Sequence, residues 1–184
     1  MSTASVVEEG LNSFKSIYNP SSSLQIAKNK SIYAALQRNP TYRSNFKTDQ
    51  RKKFRLAWEA VLNEFISKKL FLLDEVRFIK VALHYRDCLK KEAPYLNFKL
   101  SHTQKSLSLY AKHCWALDII SEPMICPVDR MILVAAKAPV GMQTWTKIDS
   151  EAEYLAQFTF IRNAAQKANM SIAQWELLSF LPKK

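Results

Sequence analysis

Apolar positions recur at helical spacing along most of this chain. Phe54, Trp58, Val61, Leu62, Phe65 and Ile66 fall at i, i+4, i+7, i+8, i+11 and i+12. That predicts an amphipathic helix over about Asp49 to Lys69 with an aromatic-rich inward face. Asp74 opens another, with Phe78, Ala82, Tyr85 and Leu89 on one face and Val76, Ile79 and Leu83 widening it. Leu107, Tyr110, Ala111, Cys114 and Leu117 form a narrow stripe over Ser101 to Asp118, and Lys105, Ser108 and Lys112 lie almost opposite. Ser101 with Gln104, Ser150 with Glu153 and Ser171 with Gln174 have the spacing of capping boxes, in which two side chains satisfy free N–H groups of a first turn. Cys126-Pro127 opens a further helix with proline at the first helical position and Asp129 at about the third. Met131 to Ala136 contains no polar residue, so that helix is expected to be central and buried.

Weaker periodicity predicts short helices over Val6 to Ile17 and Leu24 to Gln37, and two more after Ser150 and Ser171. No stretch sustains two-residue alternation between turn signals, and no solenoid repeat is present. The expected fold is an all-α, single-domain orthogonal bundle of about seven helices. It spans residues 1–184, with 1–20 a candidate for looser order.

Charge adds a partner to this picture. The 27 Lys+Arg against 16 Asp+Glu give a net charge of +11. An excess of that size predicts attraction to a polyanion, nucleic acid first and an anionic surface second. Thr41 to Lys53 is the most basic stretch, with Arg43, Lys47, Arg51 and Lys52 interleaved with Tyr42 and Phe46. Such a run can neutralise phosphates and stack on bases, or it can be a solvated approach to a helix with Thr48 as its cap. Two glycines, Gly10 and Gly141, are too few for a Walker or dinucleotide-binding loop. Three cysteines without a Cys-x-x-Cys spacing argue against a disulfide scaffold and fit a reducing, cytoplasmic setting. Met1 to Gly10 lacks the basic-then-apolar order of a secretory signal. No apolar run approaches the roughly 20 residues of a membrane span, so no membrane partner is expected. His84, His102 and His113 show no metal-ligand spacing, and neither a metal nor a cofactor is called for.

Two residues at helix starts carry the candidate chemistry. A carboxylate at Asp129 suits the helix dipole, and at the mouth of an apolar helix it can also stabilise a cation or accept a proton. A cation at Lys105 in a first turn opposes the dipole, which favours a bound anion or a nucleophilic neutral amine.

This arrangement of Gln104-Lys105-Ser106-Leu107, a helix, a loop and Pro127-Val128-Asp129-Arg130 resembles the helix–hairpin–helix DNA glycosylases. The resemblance covers about Leu100 to Lys137. It implies that Asp129 offsets the positive charge on the sugar as the glycosidic bond breaks. It also implies that Lys105, or Lys112 at a more usual separation from Asp129, forms a Schiff base in members with lyase activity. The glycine-bearing hairpin of that family is replaced here by Leu100-Ser101-His102-Thr103-Gln104. Phosphate contact then passes to Ser101, His102, Thr103 and Gln104 at the helix start, together with Arg130. Trp115 and Trp145 become candidates to stack on a flipped base. The function expected from the resemblance is excision of a damaged or modified base from duplex DNA, with or without strand cleavage and without an obligate protein partner. A non-catalytic nucleic-acid-binding module and a basic helical subunit for an acidic protein are the alternatives.

Overall fold

The computed structural model describes residues 3–37, 41, 47–94 and 96–181. Arg43, with Tyr42 and Phe46 of the basic stretch, lies outside them. Among the described residues the chain is helical and contains no strand: α1 (Thr3–Tyr18), α2 (Leu24–Leu36), α3 (Thr48–Ser67), α4 (Glu75–Glu92), α5 (Leu100–Ala116), α6 (Arg130–Ala135), α7 (Glu151–Lys167) and α8 (Ile172–Phe180). Three single 3₁₀ turns, Leu70–Leu72, Val140–Met142 and Trp145–Lys147, join them. None of these helices is long and apolar enough to cross a membrane.

The helix α5 is the axis of the bundle. It packs against α1, α2, α3 and α4 and against the turn at Trp145. Fourteen of its seventeen residues are buried. One contiguous core runs from Ala27 and Ile32 of α2 through Trp58, Phe78, Leu107, Ile132 and Tyr154 to Trp175 of α8. A second, small cluster of Val7, Phe14 and Leu177 seats α1 on α5 and α8. Gly10 permits the close approach of α1, because a Cβ there would stand 3.0 Å from the Leu178 side chain.

The polar positions opposite the apolar stripe of α5, Lys105, Ser108 and Lys112, are buried. Its polar side chains are enclosed and bonded within the protein, as buried polar groups must be. Trp58 donates to Ser106 Oγ at 2.9 Å, and Gln104 clamps the Val128 backbone, donating to its carbonyl at 2.9 Å and accepting its N–H at 3.2 Å. The Lys99 N–H donates to His102 Nδ1 at 3.0 Å, which leaves Nε2 to donate to Thr41 Oγ1 at 2.6 Å.

Helix starts follow the sequence where the cap is local and depart from it where the cap is tertiary. The Ser150–Glu153 box forms, and Asp74 and Ser171 accept first-turn N–H groups as N-caps. Gln174 turns instead to Glu122, so that box is half made. Lys47, not Thr48, precedes α3. The Ser101–Gln104 box is replaced altogether. The Leu100 N–H donates to Asp149 Oδ1 at 2.9 Å and the Ser101 N–H to the Ile148 carbonyl at 2.9 Å. Arg86 holds Asp149 in place at 3.1 Å.

The structure of α6 also corrects the sequence. It has six residues, and Asp129 is its N-cap, with Pro127 outside the helix, two residues before the cap. Ile132 and Leu133 are buried, whereas Met131 and Val134 are exposed. An all-apolar segment therefore covers a wall of the core without being central to it.

Candidate active site

Four charged side chains from α5, α6 and α8 meet along one side of α5. Lys105, Leu109 and Lys112 recur at i, i+4 and i+7 and so share a face of that helix. The Lys105 Nζ stands 3.4 Å from Asp129 Oδ2. The other oxygen, Oδ1, accepts the Ile132 N–H at 3.1 Å. Capping thus fixes the carboxylate of Asp129 and leaves one oxygen turned to the amine. The Lys105 ammonium also lies 4.2 Å above the Trp145 ring, a cation–π contact that sets its direction.

Two turns further along α5, Lys112 meets Glu176 of α8. Its Nζ is 3.0 Å from Oε1 and 2.8 Å from Oε2. The rings of Phe180 and Phe14 face the same ammonium at 4.3 and 4.6 Å. Burial pushes the Glu176 carboxyl up; Lys112 opposes that shift, Asp129 adds to it and Lys105 opposes it. The four groups are thus one electrostatic unit with no formal net charge.

Both pairs border a cavity of about 430 Å³ roofed by Phe14 and Tyr18 of α1, Tyr33 of α2 and Phe180 of α8. That volume lies in the range of small-molecule sites. The side chains of Lys105 and Asp129 are 11% and 12% exposed, and those of Lys112 and Glu176 are each 3% exposed. Lys105–Asp129 is the more accessible pair and Lys112–Glu176 the floor. His113 lines the same space, and burial lowers its pKa to about 3, so the ring is neutral near pH 7. No cluster of metal-ligating side chains occurs among the described residues.

Lys105, Lys112 and Asp129, three candidates chosen from sequence, are thus together. The helix-dipole argument for Lys105 does not survive, because Lys105 is the sixth residue of α5 and lies beyond its first turn. Its setting is defined by Asp129 and Trp145. Ser101, His102, Thr103 and Gln104 are fully buried, and the chain's own Asp149 and Ile148 occupy the start of α5. They therefore offer no surface to a phosphate. Trp115 is half-buried against the small cluster under α1, away from the cavity. Trp145 is 5% exposed and supports Lys105 from outside the cavity. Lys47, Arg51 and Lys52 are exposed at the start of α3, and Arg130 is exposed in a groove shared with Trp145 and Val140.

Glu176 and the aromatic roof were missed. Glu176 had a signal: it is the lone charge in the apolar run Trp175-Glu176-Leu177-Leu178. Phe14, Tyr33 and Phe180 had none, because their meeting depends on packing between distant helices. Among known proteins, no family model matches this chain, and no curated protein or solved structure matches it.

Proposed function

We propose that this protein is a DNA N-glycosylase with associated lyase chemistry. The observation that carries the reading is the 3.4 Å pairing of the Lys105 amine with a carboxylate oxygen of Asp129 at the side of an aromatic-roofed cavity. The net charge of +11 and the exposed Lys47, Arg51, Lys52 and Arg130 supply attraction to the phosphate backbone. A base flipped from the duplex is placed against Tyr18, Tyr33 and Phe180, whose rings offer stacking faces.

The chemistry follows from the pair. As the glycosidic bond breaks, its electrons leave with the base and positive charge develops on the anomeric carbon and ring oxygen. Asp129, held by the Ile132 N–H, offsets that charge without having to reorganise. Lys105 gives up a proton, to the departing base or to Asp129, and its amine attacks the anomeric carbon. The ring oxygen then leaves the anomeric carbon, taking a proton from the attached nitrogen, and a protonated imine between Lys105 and the opened sugar remains. Lys112, locked between two oxygens of Glu176 and two rings, is the poorer nucleophile.

Borohydride reduction converts such an imine into a stable protein–DNA adduct. Duplexes carrying a panel of altered bases are expected to give the adduct with wild type and with no Lys105→Gln protein. Asp129→Asn is expected to slow base release about 10²- to 10³-fold while duplex binding persists. Circular dichroism checks that both variants keep their helix content. Salt-dependent binding with no release and no adduct on any substrate would reassign the protein to the non-catalytic nucleic-acid-binding class.

A further inference from the structure

The floor of the cavity is an ion pair with no role in the chemistry just described. Burying two charges is expensive, and apolar residues of similar volume would fill the same space at least as well. Lys112 and Glu176 are each 3% exposed on the side chain yet border the cavity, so what surface they retain is turned to it. Lys112 can only donate and Glu176, when ionised, can only accept. Side by side at 2.8 Å, they present a charged donor next to a charged acceptor.

Taking the glycosylase reading as its basis, we infer that Lys112 and Glu176 read the outer edge of the flipped base and select an oxo-base. The ammonium of Lys112 donates to a ring carbonyl, and the carboxylate of Glu176 accepts the adjacent ring N–H. A carbonyl oxygen is a better partner for a full positive charge than a ring nitrogen. A ring N–H between carbonyls is a more acidic donor to a carboxylate than an amino group. The paired lactam edge of an oxopyrimidine or oxopurine therefore gains two charge-assisted bonds, and the amino edge of adenine or cytosine gains weaker ones.

Lys105 and Lys112 lie two turns apart on one face of α5, so the pair that reads the base and the pair that meets the sugar line the same wall of the cavity. The rings of Phe14 and Phe180, already against the Lys112 ammonium, complete the slot.

The test uses the whole chain and free bases, so it does not depend on catalysis. Uracil and thymine, the same bases methylated on the ring nitrogen between the carbonyls, and adenine are titrated separately. Binding is followed by calorimetry and by the aromatic resonances of the protein. Uracil and thymine are expected to bind, and methylation of the ring nitrogen is expected to weaken binding by about tenfold or more. Glu176→Gln, checked for native helix content, is expected to lose most of that discrimination. Equal binding of the methylated bases, preference for adenine, or no binding by uracil and thymine at their solubility limit overturns the inference. The two readings fail separately. A borohydride adduct without the base preference removes the role given to Lys112 and Glu176 and leaves the glycosylase. The base preference without any adduct or base release leaves the floor assignment and removes the glycosylase.

Discussion

At the scale of single residues, burial decides the protonation of the enclosed histidines and of Glu176 more than any neighbour does. His102 of α5 is enclosed by Phe98, Trp58 and Thr41, and burial lowers its pKa from 6.5 to about 4. His113 falls from 6.5 to about 3, with burial the largest cause. In both, the unfolded chain binds the proton first. Their stabilising contribution is therefore full above about pH 6.5 and is lost as the pH falls through about 4 for His102 and about 3 for His113. Glu176 has the opposite sign. Its raised carboxyl favours the fold most below its ordinary 4.5, and that contribution is lost as the pH rises through the raised value. Urea midpoints measured from pH 7 down to 4 are expected to fall in the wild type and to fall less steeply in His102→Gln. The difference for His102 is on the order of 3 kcal/mol; parallel profiles would show that its protonation is not coupled to folding. Asp129 was readable in the sequence because a carboxylate before an apolar turn is a local feature. The pairing of Lys112 with Glu176 was not readable, because 64 residues separate them and only the packing of α8 on the bundle joins them.

At the scale of elements, the lesson lies in α5. Its sequence has the narrow apolar stripe and facing polar positions of a surface helix, yet it is the most enclosed helix of the bundle. Ser, Thr, Gln and His hide there because each finds an internal partner, so hydrophobic period alone misjudged the exposure. Helix existence was legible throughout: the periodicity placed α3, α4, α5 and α7 correctly. Helix starts were legible only where one residue caps its own turn, as at Asp74 and Ser150. The start of α5 depends on Asp149, which no local pattern could nominate. Asp149→Ala removes the acceptor of the Leu100 N–H and a partner of Arg86. It is expected to lower stability by about 1–2 kcal/mol, measurable in a urea titration, with the helices otherwise retained. No change would mean that water replaces the cap without cost.

At the scale of the molecule, charge and cavity are largely separate. The cavity is lined by Lys30, Lys105 and Lys112 against Asp129 and Glu176, so nearly all of the excess of +11 resides elsewhere. In the proposed glycosylase, long-range attraction and local recognition are accordingly carried by different residues. Duplex affinity is expected to fall on the order of 10³-fold between about 50 and 200 mM salt, if about six phosphates are neutralised. Lys47→Glu and Lys52→Glu are expected to weaken binding by similar factors on all sequences, as fluorescence anisotropy would show. Affinity that ignores salt would point away from phosphate contact. The way α1 is seated adds a last consequence. This helix lends Phe14 and Tyr18 to the roof while resting on its own small cluster, not on the main core. Whatever fills the cavity therefore also clamps α1, and lifting α1 dismantles the cavity. Occupancy and the docking of that helix are linked equilibria, so a helix seated outside the main core is the one a ligand would hold in place.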